Sequence, residues 1–339
     1  MTKQTSRILK GICGFLIVCT HVFGFYASSS ELFKIQIGSY VLEDVLSRIC
    51  DIAVYIFAFI SGYGLFKSYE GKSTKELFKG TLTKLIRFLL SYWIIVFTLF
   101  VPFYSIKNGS FNFLETFKTM FGHHGYFSYG WYVYFYILVL VTLPFVSKLF
   151  KSTWFLNIIV PLILGTVMYV VILVFGKNLQ YYDITCILIF AYTITLVGCA
   201  FAKTEIFNKK FFEKNLILEI IIFVVGLLVE IVGYGLLKKG IFQVFAVILI
   251  LYPLVRWMNN ITENKLTKCL CFAGDNSGNI WYIHSLFSAT YTVELFRIID
   301  LFKTVKIAFF GTIIIYFASL GISTLYYFLN KKIIIKIKV

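Results

Sequence analysis

The sequence has little proline and few charged residues. Only 4 of its 339 residues are proline and 14% are charged, whereas a soluble domain carries about 25% charged residues. With only 23 glycines as well, the composition excludes collagen-like and disordered low-complexity chains. By contrast, 59% of the residues are hydrophobic, and the mean hydropathy is +0.85. The apolar residues come in runs of roughly twenty, which is enough to cross about 30 Å of hydrocarbon. The sequence therefore predicts an all-α, polytopic membrane protein.

A disulfide framework and a metal site are also not indicated. The seven cysteines form no CxxC pair, and most of them lie in or beside apolar runs. His123 and His124 are adjacent, but the sequence offers no obvious third ligand for a metal ion. We therefore expect no metal cofactor.

The apolar runs predict ten transmembrane spans in one bundle. The predicted spans are 8–27, 44–66, 86–106, 129–147, 154–176, 184–202, 215–236, 240–258, 272–293 and 307–329. Because the loops between them are short, we expect a single transmembrane domain over residues 1–339, with no fused soluble domain.

Acidic residues are scarce, with 16 against 32 basic residues. In a soluble chain the net charge of +16 would suggest nucleic acid, but here the placement of the charges decides their meaning. If the N-terminus is cytoplasmic, 22 Lys and Arg residues fall on the cytoplasmic side and 9 on the other, with Arg48 inside a span. This asymmetry predicts that both termini are cytoplasmic, and we expect no nucleic-acid partner. The basic loop 67–87 remains a candidate site for a phosphate-rich ligand.

Two ionisable residues share one face of the first span. Lys10 and His21 are eleven residues apart, and eleven steps of about 100° return to within about 20° of the same direction. The rise between them is roughly 16 Å. Ionisable residues inside a membrane often mark a functional path. The alternative is a snorkelling lysine together with a histidine that hydrogen-bonds a neighbouring helix.

Other polar and aromatic residues allow two interpretations each. His284 lies in the predicted ninth span and is either functional or a packing residue. Ser61 either contacts substrate or merely precedes Gly62, whose missing side chain permits close helix approach. Trp131 and Tyr132 lie where an aromatic belt is expected, and they can also stack on a sugar ring.

Two further pairs of ionisable residues lie within predicted spans. Arg48 and Asp51 have the spacing of an ion pair that lowers their cost of insertion. Glu219 and Glu230 share a helix face and are candidates to line a cavity.

Five segments resemble the membrane acyltransferase-3 family. They are RILKGICGFLIVCTH (Arg7–His21), AFISGYGLF (Ala58–Phe66), KLIR (Lys84–Arg87), GWYVYFYILVLVTLP (Gly130–Pro144) and DNSGNIWYIHSLF (Asp275–Phe287). They resemble, in order, the family's basic-x10-His span, SGY segment, basic-x-x-Arg motif, Trp-aromatic segment and Ser-x-x-Ile-Tyr-x-x-His run. The departure is Lys10, which keeps the charge of the commoner arginine but loses its bidentate geometry.

The resemblance implies an O-acyltransferase that moves an acetyl or other short acyl group from cytoplasmic acyl-CoA to a hydroxyl of a cell-surface or lipid-linked polysaccharide. Acetyl-CoA would be the donor, with its phosphates held by Lys10, Lys84 and Arg87. His21 would act as a general base or as an acyl carrier, and the sequence does not choose between these routes. His284 is the second candidate catalytic residue. Trp131, Tyr132 and Ser61 are the candidate acceptor contacts.

The resemblance further implies a multi-pass protein of the bacterial plasma (inner) membrane. Its partners would be membrane lipid, the glycan acceptor and the polysaccharide biosynthesis machinery. The alternatives are a component of polysaccharide succinylation or export, and a secondary transporter or flippase. Transporters commonly show repeated halves and broken helices, and neither is evident in this sequence.

Overall fold

The structure is a computed structural model that describes residues 1–30, 32–123, 130–150, 153–176, 182–208, 215–238, 240–288 and 307–334. Helix accounts for 85% of these residues. The strands among them are the antiparallel pair β1 (Gln36–Ile37) and β2 (Tyr40–Val41). The prediction of an all-α protein is therefore confirmed.

The α-helices of the described residues follow one another along the chain. They are α1 (Lys3–Ser28), α2 (Leu42–Cys50), α3 (Ile52–Tyr69), α4 (Thr74–Ile95), α5 (Val101–Asn108), α6 (Phe113–Met120), α7 (Trp131–Val146), α8 (Trp154–Phe175), α9 (Tyr182–Thr204), α10 (Leu216–Val229), α11 (Ile241–Met258), α12 (Lys265–Ile283), α13 (Ser285–Ser288) and α14 (Ala308–Ile334).

Two π-helical segments, each of which makes i→i+5 backbone hydrogen bonds, continue α-helices. Val96–Phe100 joins α4 to α5, and Glu230–Leu236 extends α10. In the second segment the Leu237 amide donates to the Val232 carbonyl oxygen at 3.0 Å. Such segments are frequent at functional sites and change the direction of the side chains that follow.

Nine helical stretches of the described residues are long and apolar enough to cross a membrane. They correspond to nine of the ten predicted spans. The other prediction, 272–293, overlaps α12 and α13, and its last residues lie outside the described part of the chain. α12 differs from the nine stretches because polar residues such as Asp275 and Asn276 interrupt its apolar sequence.

The predicted start of the third span does not coincide with the start of its helix. α4 begins at Thr74, twelve residues before the predicted position 86. A capping box sets this start: Ser73 Oγ accepts from the Glu76 amide at 3.4 Å, and Glu76 Oε2 accepts from the Ser73 amide at 2.8 Å. The predicted span covers only the apolar part of this helix, because it followed hydropathy and the first turns of α4 are polar. Lys84 and Arg87 therefore lie in the fourth turn of a helix.

The chain folds into two compact units, each built from several separate segments. Unit 1 comprises Met1–Thr20, Val45–Gly71 and Phe145–Gly274. Unit 2 comprises His21–Asp44, Lys72–Pro144 and Asp275–Val339.

Glycines set the helix crossings of unit 1. A Cβ atom at Gly62 would overlap the carbonyl oxygen of Thr195, and one at Gly198 would overlap that of Phe59. These reciprocal contacts bring the backbones of α3 and α9 together, as Gly62 in the sequence predicts. α1 crosses α12 in the same manner, because Gly11 contacts the backbone of Leu270 in this unit.

Large side chains fill the interior of unit 2. Tyr92, Val133, Phe135 and Ile283 are all fully buried there. The Tyr92 hydroxyl donates to the Thr119 carbonyl oxygen at 2.6 Å, which fixes α6 against α4. Aromatic rings and hydrogen bonds therefore hold these helices together.

Candidate functional site

Two histidines predicted as site residues contact each other inside unit 2. The ring centroids of His21 and His284 are 5.0 Å apart, and the planes of the two rings differ by 21°. His21 lies in the second half of α1, and His284 lies at the junction of α12 and α13. They are 263 positions apart in the sequence, so the fold brings together two imidazoles that the sequence presents separately.

The backbone of α12 fixes the orientation of the His284 ring. Nδ1 of His284 lies 2.9 Å from the carbonyl oxygen of Ile280, and the side chain is fully buried. Because a carbonyl oxygen only accepts hydrogen bonds, this contact requires a hydrogen on Nδ1. In a neutral imidazole, Nε2 then carries the lone pair. A hydrogen bond of this kind is typical of histidines whose ring must be held in one tautomer.

An aromatic cluster adjoins His284 on the preceding turn of α12. The Trp281 ring lies 4.2 Å from that of Tyr132 and 6.1 Å from that of Trp131, between ring centroids. The structure therefore joins the two predicted acceptor contacts of α7 to the helix that carries His284. Flat aromatic faces of this kind can stack on a sugar ring or on the base of a nucleotide.

One face of α4 links a predicted donor residue to the same cluster. Lys84, Phe88 and Tyr92 follow each other at intervals of four residues, so they share a helix face. The Phe88 ring contacts Tyr136 at 4.7 Å, and the Tyr92 ring contacts Tyr282 at 4.8 Å. The face rises about 12 Å from the Lys84 position to the Tyr92 position. A cation therefore lies at one end of an aromatic row.

The remaining predicted site residues have different surroundings. Arg87 is exposed and lies three residues after Lys84 on α4. Lys10 on α1 and Ser61 on α3 are partly buried and belong to unit 1. His21, His284, Lys84, Arg87, Trp131 and Tyr132 all belong to unit 2. Residue His124 lies outside the described part of the chain.

The buried acids of unit 1 each have a partner on a neighbouring helix. Glu219 Oε1 lies 2.7 Å from Arg256 Nε, and its Oε2 accepts from Trp257 Nε1 at 2.7 Å. Glu230 Oε1 accepts from Gln243 Nε2 at 3.0 Å. These contacts join α10 and its π-helical extension to α11, which gives both glutamates a structural role.

The residues of the predicted Arg48–Asp51 pair reach the same π-helical segment. Arg48 Nε donates to the Gly235 carbonyl oxygen at 2.8 Å, and the Tyr234 hydroxyl donates to Asp51 Oδ2 at 3.4 Å. Both contacts lie within unit 1, and they show how α2 and α3 hold the π-helical turn.

Sequence reasoning did not single out five aromatic residues of this cluster. They are Phe88, Tyr92, Tyr136, Trp281 and Tyr282. A signal was present for three of them, since Trp281 and Tyr282 lie inside the segment that carries His284 and Tyr136 lies inside Gly130–Pro144. Phe88 and Tyr92 lie in an apolar run rich in aromatic residues, where nothing local distinguishes them.

Among the described residues, nine helical stretches are long and apolar enough to cross a membrane, which defines a multi-pass membrane protein. The histidine pair marks a candidate site inside unit 2. The model of one family, described as an acyltransferase domain, matches residues 6–328. The chain therefore belongs to the acyltransferase-3 family and is a membrane acyltransferase. No curated protein and no solved structure matches it.

Proposed function

We propose that this membrane acyltransferase transfers an acetyl or other short acyl group from acyl-CoA to a hydroxyl of a cell-surface or lipid-linked polysaccharide. The observation that supports this most directly is the contact of the His21 and His284 rings inside unit 2. Transfer to a hydroxyl requires a group that takes up its proton, and imidazole does this near neutral pH.

Two routes use His21. In the first, His21 removes the proton of the acceptor hydroxyl, whose oxygen attacks the carbonyl carbon of the thioester. The carbon–sulfur bond breaks, and the thiolate of CoA takes the proton from the imidazolium. In the second, a His21 nitrogen attacks the carbonyl carbon of the thioester, the carbon–sulfur bond breaks and CoA leaves as its thiolate. The hydroxyl oxygen then attacks the acyl group on the imidazole, the carbon–nitrogen bond breaks, and the hydroxyl proton passes to the thiolate. His284, fixed by the Ile280 carbonyl, supports the His21 ring in both routes.

The donor fits the α4 face on chemical grounds. Acyl-CoA carries phosphates, for which Arg87 and Lys84 are suitable partners, and Lys10 is the third proposed cation. The aromatic row from Lys84 to Tyr92 offers an apolar path for the pantetheine arm. Trp131, Tyr132 and Ser61 are the proposed acceptor contacts.

The proposed location is the plasma (inner) membrane of a bacterium, with both termini in the cytoplasm. This orientation places Lys84 and Arg87 on the side where acyl-CoA is made. It also allows assembly with the polysaccharide biosynthesis machinery.

The test replaces His21 by asparagine, which can form a hydrogen bond but cannot exchange a proton near neutral pH. We expect His21→Asn to insert normally and to lose acylation by about 10²-fold or more, the usual scale for a missing general base. The measurement is NMR of the acyl content of the glycan, and transfer of label from radioactive acyl-CoA in membranes.

His123→Asn is the matched control, because His123 is exposed and lies in the turn after α6. Acylation should stay normal in this variant. Normal acylation in His21→Asn would rule out both routes. Labelled protein that accumulates from acyl-CoA without acceptor, in the parent but not in His21→Asn, identifies the acyl-carrier route.

A further inference from the structure

The short helix α6 presents three different faces. Around its axis, Thr116, Thr119 and Met120 lie on one side, and Glu115 and Lys118 lie on a second. A third side carries only apolar residues: Phe113, Leu114, Phe117 and, just after the helix, Phe121. With eight residues, α6 is about 12 Å long, so it is too short to cross a membrane.

The first face is packed against α4. Thr116 and Thr119 are buried. The Thr119 and Met120 carbonyl oxygens accept hydrogen bonds from Tyr92 Oη at 2.6 Å and from Trp93 Nε1 at 2.9 Å. The position of α6 is therefore fixed by side chains of unit 2.

The second face suits water. Lys118 Nζ lies 2.7 Å from Glu115 Oε1, and the two side chains are 35% and 26% exposed. Asn112 caps the helix by accepting from the Glu115 amide at 3.1 Å. This face carries no net charge, which offers little to a charged protein partner.

The third face is unburied despite its apolar composition. Phe113 is 74% exposed, Leu114 59% and Phe117 51%. Three large apolar side chains on adjacent turns form a patch that would be unfavourable in water. It needs an apolar neighbour that the described residues of this chain do not supply.

The position of α6 along the chain identifies that neighbour. α6 follows the membrane-crossing stretch Thr74–Ile106, whose last residue is 72% exposed. From the Lys84 position to Ile106 the helix rises about 33 Å, close to the thickness of the hydrocarbon core. At Gly109 a left-handed conformation, with φ of 66°, ends α5 and lets the chain turn. α6 therefore begins where the chain leaves the bilayer.

We propose that α6 is an interfacial helix, bound to the lipid surface through Phe113, Leu114, Phe117 and Phe121. A helix with protein, lipid and water on three sides has the geometry of the boundary between headgroups and acyl chains, and aromatic residues are enriched at that depth.

The test measures what surrounds each face in the full-length protein in lipid nanodiscs. A fluorescent amino acid is placed at position 117 or, as the matched control, at position 118 on the water-facing side. Quenching is measured with phospholipids brominated near the headgroup and with aqueous iodide. Both exchanges leave Thr119 and Met120, whose carbonyl oxygens bond to α4, unchanged.

Brominated lipid should quench the label at position 117 about threefold or more better than the label at position 118, and iodide should show the opposite order. Equal quenching of both positions by iodide would place α6 in water and overturn the proposal. Protection of position 117 from both quenchers would also overturn it, because a protein would then cover this face. A polar replacement, Phe117→Asn, gives a second measurement: we expect faster extraction of the protein by mild detergent, and an unchanged rate would contradict lipid binding.

Discussion

Within each unit, the helices pack through a different balance of contacts. In unit 1, helices cross with their backbones touching, at Gly62 and Gly198 and again at Gly11, and buried polar side chains join α10 to α11. In unit 2, the contacts that join helices are made by rings and hydroxyls, such as those of Tyr92, Trp281 and the two histidines. Backbone contact leaves no room for a ligand, whereas side-chain contact leaves groups whose chemistry can be used. We therefore regard unit 2, with its histidine pair, as the reactive part, and unit 1 as the scaffold that also carries the proposed contacts Lys10 and Ser61.

The largest loss of stability is expected from a substitution at a position where two helix backbones are in contact. Gly62→Val would force α3 away from the Thr195 backbone, because no rotamer removes the overlap of a Cβ atom. We expect a loss of about 3 kcal/mol or more of stability, and little folded protein. Size-exclusion chromatography in detergent and the apparent unfolding temperature measure this.

The matched control is Gly64→Val on the same helix, where a Cβ atom would meet no atom within 4 Å. This variant should fold normally. If Gly62→Val folded as well as Gly64→Val, the distinction between the units would fail.

Replacing either of two arginines should have an intermediate effect, and the two replacements should change different properties: stability for Arg256 and the KM for acyl-CoA for Arg87. In unit 1, Arg256→Met leaves Glu219 without its ion pair but with its hydrogen bond to Trp257, so we expect a loss of about 2 kcal/mol of stability, the scale of a hydrogen bond to a charged group. In unit 2, Arg87→Met removes an exposed cation, so we expect normal stability and a KM for acyl-CoA raised about 10-fold.

Thermal unfolding and acyl-transfer kinetics on both variants check this prediction, and each arginine variant serves as the control for the other. A destabilised Arg87→Met with normal KM would make Arg87 part of the scaffold.

The smallest loss of stability is expected from the removal of a single hydroxyl group. Tyr92→Phe keeps the ring that contacts Tyr282 but removes the donor to the buried Thr119 carbonyl oxygen. We expect a loss of about 1 kcal/mol of stability. Tyr134→Phe is the control, since Tyr134 is 53% exposed on α7. Equal unfolding temperatures for the two variants would mean that the bond to Thr119 does not hold α6.

Hydropathy was sufficient to predict most of the fold. The cost of placing polar backbone in hydrocarbon forces long apolar runs into helices, and nine of the predicted spans are found. It did not predict the start of α4, because a capping box is a local polar signal. The span predicted at 272–293 overlaps α12 and α13 and ends outside the described part of the chain, so it stays a prediction.

The candidate site was only partly accessible from the sequence. His21 and His284 could be singled out because ionisable residues are rare in apolar runs. Their mutual contact, and the contact of Trp281 with Tyr132, depend on how distant helices pack, and no local spacing encodes it. Lys10 and His21 share one helix, yet they belong to different units, which a helical-wheel argument cannot reveal.

The π-helical turn at Glu230–Leu236 makes the length of this helix a feature that can be compared between relatives. A π turn holds about one residue more than an α-helical turn, so inserting one residue into an α-helix can produce it. Relatives with a regular α-helix here should therefore show a one-residue gap when aligned between positions 226 and 237. Removing one residue here would turn Tyr234 by about 100° away from Asp51. The extra residue of the turn thus sets which of its side chains reach the start of α3.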